Sequence, residues 1–252
     1  MGSITLPWVS QTTNLHNALI PNADGPDVVY RTLPDPSIAS GSCSIIFRDH
    51  FDVLKREILN SEFVLIAAAW FTNEPLLHAL RFVPHGCAVL VQKEDFLRPD
   101  VSVKPRDWHR NLRKTYESLH CDLIRYELPY PISALNTNGD PSVDPVRCVG
   151  NHNANKEPAM PRMHHKFAVF FKVQLDDDEV TGYQQKILKP YAVWTGSLNW
   201  THNAEKSFEN AVLIRDPRIA MAFAQEWANV YSLSEPLDWT SSWVAPQHRI
   251  GT

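Results

Sequence analysis

A layered α/β domain is the architecture this chain predicts, and three observations point to it. Compact apolar runs alternate with segments of helical period through the first half of the chain. Three further strand-like runs and a helix follow residue 161. Finally, 44% hydrophobic and 21% charged residues over 252 positions is the composition of an ordinary globular protein.

Taken in order, residues 1–42 are rich in Pro, Ser, Thr and Asn without a sustained period, which predicts an extended N-terminal arm. Residues 43–252 then form the domain. Phe51, Leu54, Ile58 and Leu59 recur at helical spacing and predict a helix over 48–59. The run 63–70 reads as a buried strand, 74–82 as a short helix and 87–92 as a second strand. Residues 106–120 read as a helix and 122–126 as a strand. Between 129 and 161 the pattern dissolves into Pro, Asn, Gly and Asp, which predicts a long loop of functional use. Strands are expected at 164–171, 192–200 and 209–214. A helix is expected at 216–231, with Ile219, Phe223, Trp227 and Val230 on one face. The acidic stretch DDDEVTGYQQK between the first two of these strands reads as a solvated hairpin insertion.

Composition also narrows the function. A net charge of −4 argues against nonspecific coating of nucleic acid, so any polyanion site must be a local patch. The four cysteines (Cys43, Cys87, Cys121, Cys148) are scattered without a CxxC pair and read as reduced thiols. The start of the chain lacks the basic and apolar regions of a signal peptide. No apolar run nears the roughly 18 residues of a membrane span. A cytoplasmic protein is expected.

Three short segments carry the chemistry: His164-His165-Lys166, Gly196-Ser197-Leu198-Asn199 and Glu209-Asn210. Residues two apart on a strand share a face, so His164 pairs with Lys166 and Ser197 with Asn199. If the strands are neighbours, an imidazole, an ammonium, a hydroxyl and a carboxamide converge. That set suits a phosphodiester: the cation neutralises charge, hydroxyl and amide donate to phosphoryl oxygens, and neutral imidazole attacks phosphorus. Glu209 is expected to accept the other ring N–H of His164.

The segments MHHKFAVFF, TGSLNWT and SFENAVLI together resemble the phospholipase D superfamily, whose signature is H-x-K-x4-D, then G-S-x-N, then a downstream Glu. Order and spacing look most like its small single-motif nucleases. The resemblance runs from residue 164 to 214 and more faintly back to residue 43. It departs at one position, where Phe171 stands in place of the signature Asp.

The resemblance implies a layered α-β-α sandwich with a central mixed sheet, and catalytic roles for His164, Lys166, Ser197, Asn199 and Glu209. Because the chain has one motif where family members need two, it implies a homodimer with a shared site and a covalent phosphohistidine. No cofactor and no metal are expected; Cys148, His152, His164 and His165 match no familiar zinc spacing.

For substrate, nucleic acid is preferred. Arg106, Arg110 and Arg113 recur along one helix face with Trp108 and His109 interleaved, and His152 and Arg162 could meet a phosphate. Hydrolysis of a membrane phospholipid and a non-catalytic scaffold are the alternatives.

Overall fold

The computed structural model describes residues 17–21, 28–32, 35–100, 106–124, 127–134, 144–152, 160–177 and 182–247. Two strands, β1 (Asn17–Pro21) and β2 (Val28–Thr32), pair antiparallel as a separate two-stranded ribbon. The main sheet follows: β3 (Ile38–Ser40), β4 (Cys43–Ile46), β5 (Phe63–Ala68), β6 (Cys87–Gln92), β7 (Val146–Val149), β8 (Lys166–Asp177), β9 (Gln184–Gly196) and β10 (Ala211–Ile214). Its order is β3-β4-β10-β9-β8-β5-β6-β7. The pairs β5–β6 and β6–β7 are parallel and the rest antiparallel. The helices are α1 (His50–Asn60), α2 (Glu74–Leu80), α3 (Asp107–Glu117) and α4 (Pro217–Tyr231).

Alternation along the strands builds two cores. Val64, Ile66, Val89, Val91, Phe170 and Trp194 face α1, α2 and α3 on one side. Phe63, Leu65, Leu90, Phe167, Val169 and Phe171 face α4 on the other. The result is the expected α-β-α sandwich around a mixed sheet. Strands buried on both faces read as unbroken apolar runs, which is how β5 and β6 stand in the sequence. Helix α4 begins where Asp216 accepts the amides of Arg218 and Ile219 ahead of Pro217, an N-cap followed by proline at the first helical position.

Several expectations differ from the structure. The strand expected at 122–126 does not form at 122–124; Cys121 makes an isolated bridge to Gly86, and residues 125–126 lie outside the described ones. The long loop expected at 129–161 contains β7, whose VRCV run is hidden in sequence by Pro145 before it and Gly150 after it. Strand β3 lies inside the expected arm, joined to β4 through Gly41 at a φ of +57°. Strand β8 starts at Lys166, two residues late, and β9 starts at Gln184 and stops at Gly196. These two strands run on past the sheet as the antiparallel hairpin expected around the acidic stretch.

Candidate active site

The parallel strands β5, β6 and β7 end on the same rim of the sheet where β8 begins and β9 ends. Crevices at the carboxyl ends of parallel strands are where open α/β sheets bind ligands. His164 stands just before β8, Ser197 just after β9, and Glu209 just before β10. The three sequence segments therefore do meet, although His164, Ser197, Asn199 and Glu209 all sit outside the strands that hold them.

Glycine explains how the second and third segments touch. A Cβ on Gly196 would lie 2.2 Å from the Asn210 carbonyl oxygen and 2.8 Å from Ala211 Cα, so only glycine lets the two turns close. Across that contact, Ser197 N–H donates to the Asn210 carbonyl at 3.0 Å and Asn210 N–H donates to Ser197 Oγ at 3.1 Å. The Ser197 hydroxyl in turn donates to the Glu209 carboxylate. Leu198 is buried, while Ser197 is exposed and Asn199 is half-buried. Asn199 Oδ1 is buried with no hydrogen-bond partner among the described residues.

The first segment is a cation–imidazole pair. Lys166 Nζ lies 3.3 Å from both ring nitrogens of the exposed His164 and donates to its carbonyl oxygen at 2.9 Å. Partial burial of His164, with the charges of Lys166, Arg162 and His165 around it, lowers its pKa below the ordinary histidine value and so favours the neutral ring. Lys166 is also lowered, by burial first and by Arg162. The Glu209 carboxylate opposes that shift, which places an anion near the ammonium. Glu209 accepts from Ser197 and not from His164, so the expected Glu209–His164 bond is absent here and the carboxylate bears on the lysine and the serine.

Sequence reasoning did not find Trp70. Its indole meets the His164 ring edge-on, with centroids 6.0 Å apart at 85°, and its Nε1 donates to Glu94 at 3.2 Å. The segment is fixed by Trp200, whose N–H donates to the Trp70 carbonyl and whose own carbonyl accepts from Thr72 and Asn73. A tryptophan immediately past an apolar strand was the signal available.

The substrate candidates divide. Arg162 is exposed and close enough for its charge to depress both His164 and Lys166. His152 follows β7 on the same rim, but its Nε2 is bonded to Asp95 and its ring lies on Trp239 at 4.8 Å. Helix α3 runs away from the rim, because the His120 carbonyl beyond its far end accepts from Cys87 at the start of β6. Arg106 therefore stands at the near end, beside Trp108. Arg113 lies about 10 Å further down the helix axis. Arg110 is paired with Asp107, and Arg113 with Glu117 and the Leu97 carbonyl. Residues 153–159 of the preceding loop lie outside the described residues. Cys148 Sγ faces the carbonyls of Glu235 and Pro236.

No family model matches the sequence. The chain is similar to an uncharacterized protein of Acanthamoeba polyphaga mimivirus, 26% identical over 212 residues that cover 77% of this chain and 68% of that protein. Among solved structures it is similar to Nuc, a phospholipase D family member from Salmonella typhimurium. The TM-score there is 0.46 at 15% identity, covering 77% of this chain and 96% of that one. It is similar also to NucT from Helicobacter pylori, with a TM-score of 0.44 at 16% identity, covering 75% and 94% respectively.

Proposed function

We propose that the chain is a phosphodiesterase of the phospholipase D type that cleaves nucleic acid through a covalent phosphohistidine on His164. The observation that carries this reading is the exposed imidazole of His164, with the ammonium of Lys166 3.3 Å from both ring nitrogens and the charge of Arg162 acting on both groups. A neutral imidazole is a nucleophile, and two adjacent cations favour an anionic phosphoryl group over a neutral carbonyl substrate.

In this mechanism a ring nitrogen of His164 attacks phosphorus, forming the P–N bond as the P–O bond to the leaving group breaks. The leaving oxygen takes a proton from an imidazolium, supplied by His164 of a second copy of the chain across a two-fold axis. Water then attacks phosphorus, the P–N bond breaks, and the second imidazole takes back a proton from that water. Lys166 neutralises the phosphoryl oxygens throughout, with Asn199 as the amide donor. Ser197, held by Glu209, fixes the turn that presents Asn199. The second histidine makes the homodimer a requirement of the chemistry. The sequence of steps uses no metal and no cofactor.

Nucleic acid is the favoured substrate because Arg162 and Lys166 flank the nucleophile while Arg106 and the 43% exposed Trp108 stand at the near end of α3. None of the described helices is long and apolar enough to cross a membrane.

The test is hydrolysis of bis-p-nitrophenyl phosphate, labelled DNA, labelled RNA and phosphatidylcholine vesicles in excess EDTA, with His164→Ala alongside. Metal-independent nucleic-acid cleavage that disappears in His164→Ala is expected, together with a dimer by sedimentation. Cleavage that survives the substitution refutes the nucleophile. Turnover of vesicles alone replaces nuclease with lipase, and a wild type inactive on all four substrates supports a scaffold.

A further inference from the structure

Five of the six residues of β6 are apolar, and all six are buried. The sixth, Gln92, closes the strand at 1% exposure. A carboxamide at such a place costs stability unless its donors and acceptor are all used. Those of Gln92 are. Its Nε2 donates to the Asn151 carbonyl at 2.7 Å and to the Lys93 carbonyl at 3.2 Å, and its Oε1 accepts the Met163 N–H at 2.8 Å.

Asn151 completes the joint from the other side. Its N–H donates to the Pro161 carbonyl at 2.9 Å and its Nδ2 to the Met160 carbonyl at 2.7 Å, while its Oδ1 accepts from Val244 N–H at 2.8 Å. The excursion that leaves β7 and returns to β8 is thus fastened at its base, and the next residue beyond the fastening is His164. Gly150 shows how tight the joint is. Its φ is +91°, and a Cβ there would lie 2.5 Å from Gln92 Oε1 and 3.1 Å from Arg162 Cα. Fully satisfied buried polar networks hold one geometry against alternatives. Packing alone would be served by another aliphatic residue.

We propose that Gln92 is a positioning residue for His164: by holding the Met163 amide it fixes the direction from which the imidazole leaves the chain. This rests on the reading of His164 as nucleophile. Gln92 itself does not touch the reacting atoms.

The test compares wild type, Gln92→Leu, Gln92→Glu and Gly150→Ala on bis-p-nitrophenyl phosphate, with kcat and KM per folded molecule and thermal melts for each. A misplacement of about 1 Å at a reacting group costs on the order of 100-fold. In Gln92→Leu, kcat is expected to fall between about 10- and 100-fold while KM moves less than about twofold. Gly150→Ala, which pushes on the same oxygen, is expected to share that signature. Gln92→Glu keeps the acceptor for Met163 but loses the donors, and should fall between wild type and Gln92→Leu. A folded Gln92→Leu with the kcat of wild type overturns the proposal. So does a loss of activity that vanishes when corrected for the folded fraction. An inactive wild type takes down both the phosphodiesterase reading and this proposal; an active wild type with unimpaired variants takes down only the proposal.

Discussion

Placing an aspartate at the position where the resemblance expects one, by Phe171→Asp, is expected to destabilise the protein severely and to add no activity. Phe171 is fully buried, its ring meets Phe63 edge-on at 5.8 Å, and it belongs to the core beneath α4. Removing a buried phenylalanine ring costs about 3–5 kcal/mol. Burial in that apolar core forces the new carboxyl neutral. Holding an aspartate protonated at pH 7, against an unfolded pKa near 3.9, costs about 4 kcal/mol more. The two effects together rival the roughly 5–15 kcal/mol that stabilises a whole domain. The sign with pH follows. A carboxyl whose pKa is raised by folding stabilises the native state below its unfolded pKa, and that contribution is lost as pH rises. The deficit of Phe171→Asp relative to wild type should therefore shrink as pH falls from 7 toward 4. Urea unfolding of both proteins, followed by circular dichroism at pH 7 and pH 4.5, measures this. A Phe171→Asp protein within about 1 kcal/mol of wild type at pH 7 would refute the burial argument. A gain in phosphodiesterase activity would show that the position matters chemically.

Other expectations follow from the same geometry. Arg162→Ala removes one of the charges that depress His164, so the acid limb of the kcat/KM–pH profile should move to higher pH; an unmoved limb refutes the contact. Lys93 is fully buried against Glu235, so Lys93→Met should cost about 3–5 kcal/mol by stranding the carboxylate, whereas Lys93→Met with Glu235→Leu should cost less, as denaturation will show. Burial pushes the Cys87 and Cys148 thiols up to about 12, so in the native protein both should resist a thiol reagent that modifies the partly exposed Cys43; mass mapping of the adducts decides. Gly196→Ala should abolish activity with His164 and Lys166 intact, since the added methyl drives apart the turns bearing Ser197 and Glu209; wild-type activity in that variant refutes the close approach.

What the sequence made legible follows from how locally each feature is encoded. Strands β5 and β6 were readable because burial on both faces leaves an uninterrupted apolar run, and α4 because apolar residues recur at helical spacing, although its buried face is Ala220, Ala224, Trp227, Ala228 and Tyr231 and the expected Ile219 is exposed. The meeting of His164, Lys166, Ser197 and Glu209 was legible because β8, β9 and β10 are consecutive antiparallel neighbours. Strand β7 was not. Four residues are too few to show a period, and what makes VRCV a strand is distant: parallel pairing with β6 and a buried Arg147 bonded to Ser234 and Gln247. The bond from Ser197 to Glu209 was likewise out of reach, since it depends on where β9 ends rather than on residue type. Arg106, Arg110 and Arg113 share a face in sequence, yet Arg106 caps α3 while Arg110 and Arg113 lie within it, and the partners Asp107 and Glu117 and the axis of the helix decide which of them stands near the rim.

The segment that follows α4 has a consequence for how the chain must be made. β7 is the last strand of the main sheet, and its open side is met by Glu235, which exchanges two backbone hydrogen bonds with Cys148, while Arg147 and Lys93 reach across to Ser234, Glu235 and Gln247. An unpaired strand edge is a template for another chain. During synthesis β7 leaves the ribosome more than eighty residues before the segment that shields it. Throughout that interval the nascent protein carries an exposed seam, and shielding it falls to residues 234–247. A stop codon at 234, which leaves the described strands and helices in the chain, would therefore uncover the β7 edge and strand the buried Lys93 without Glu235, and a chain so shortened is expected to pair with its neighbours.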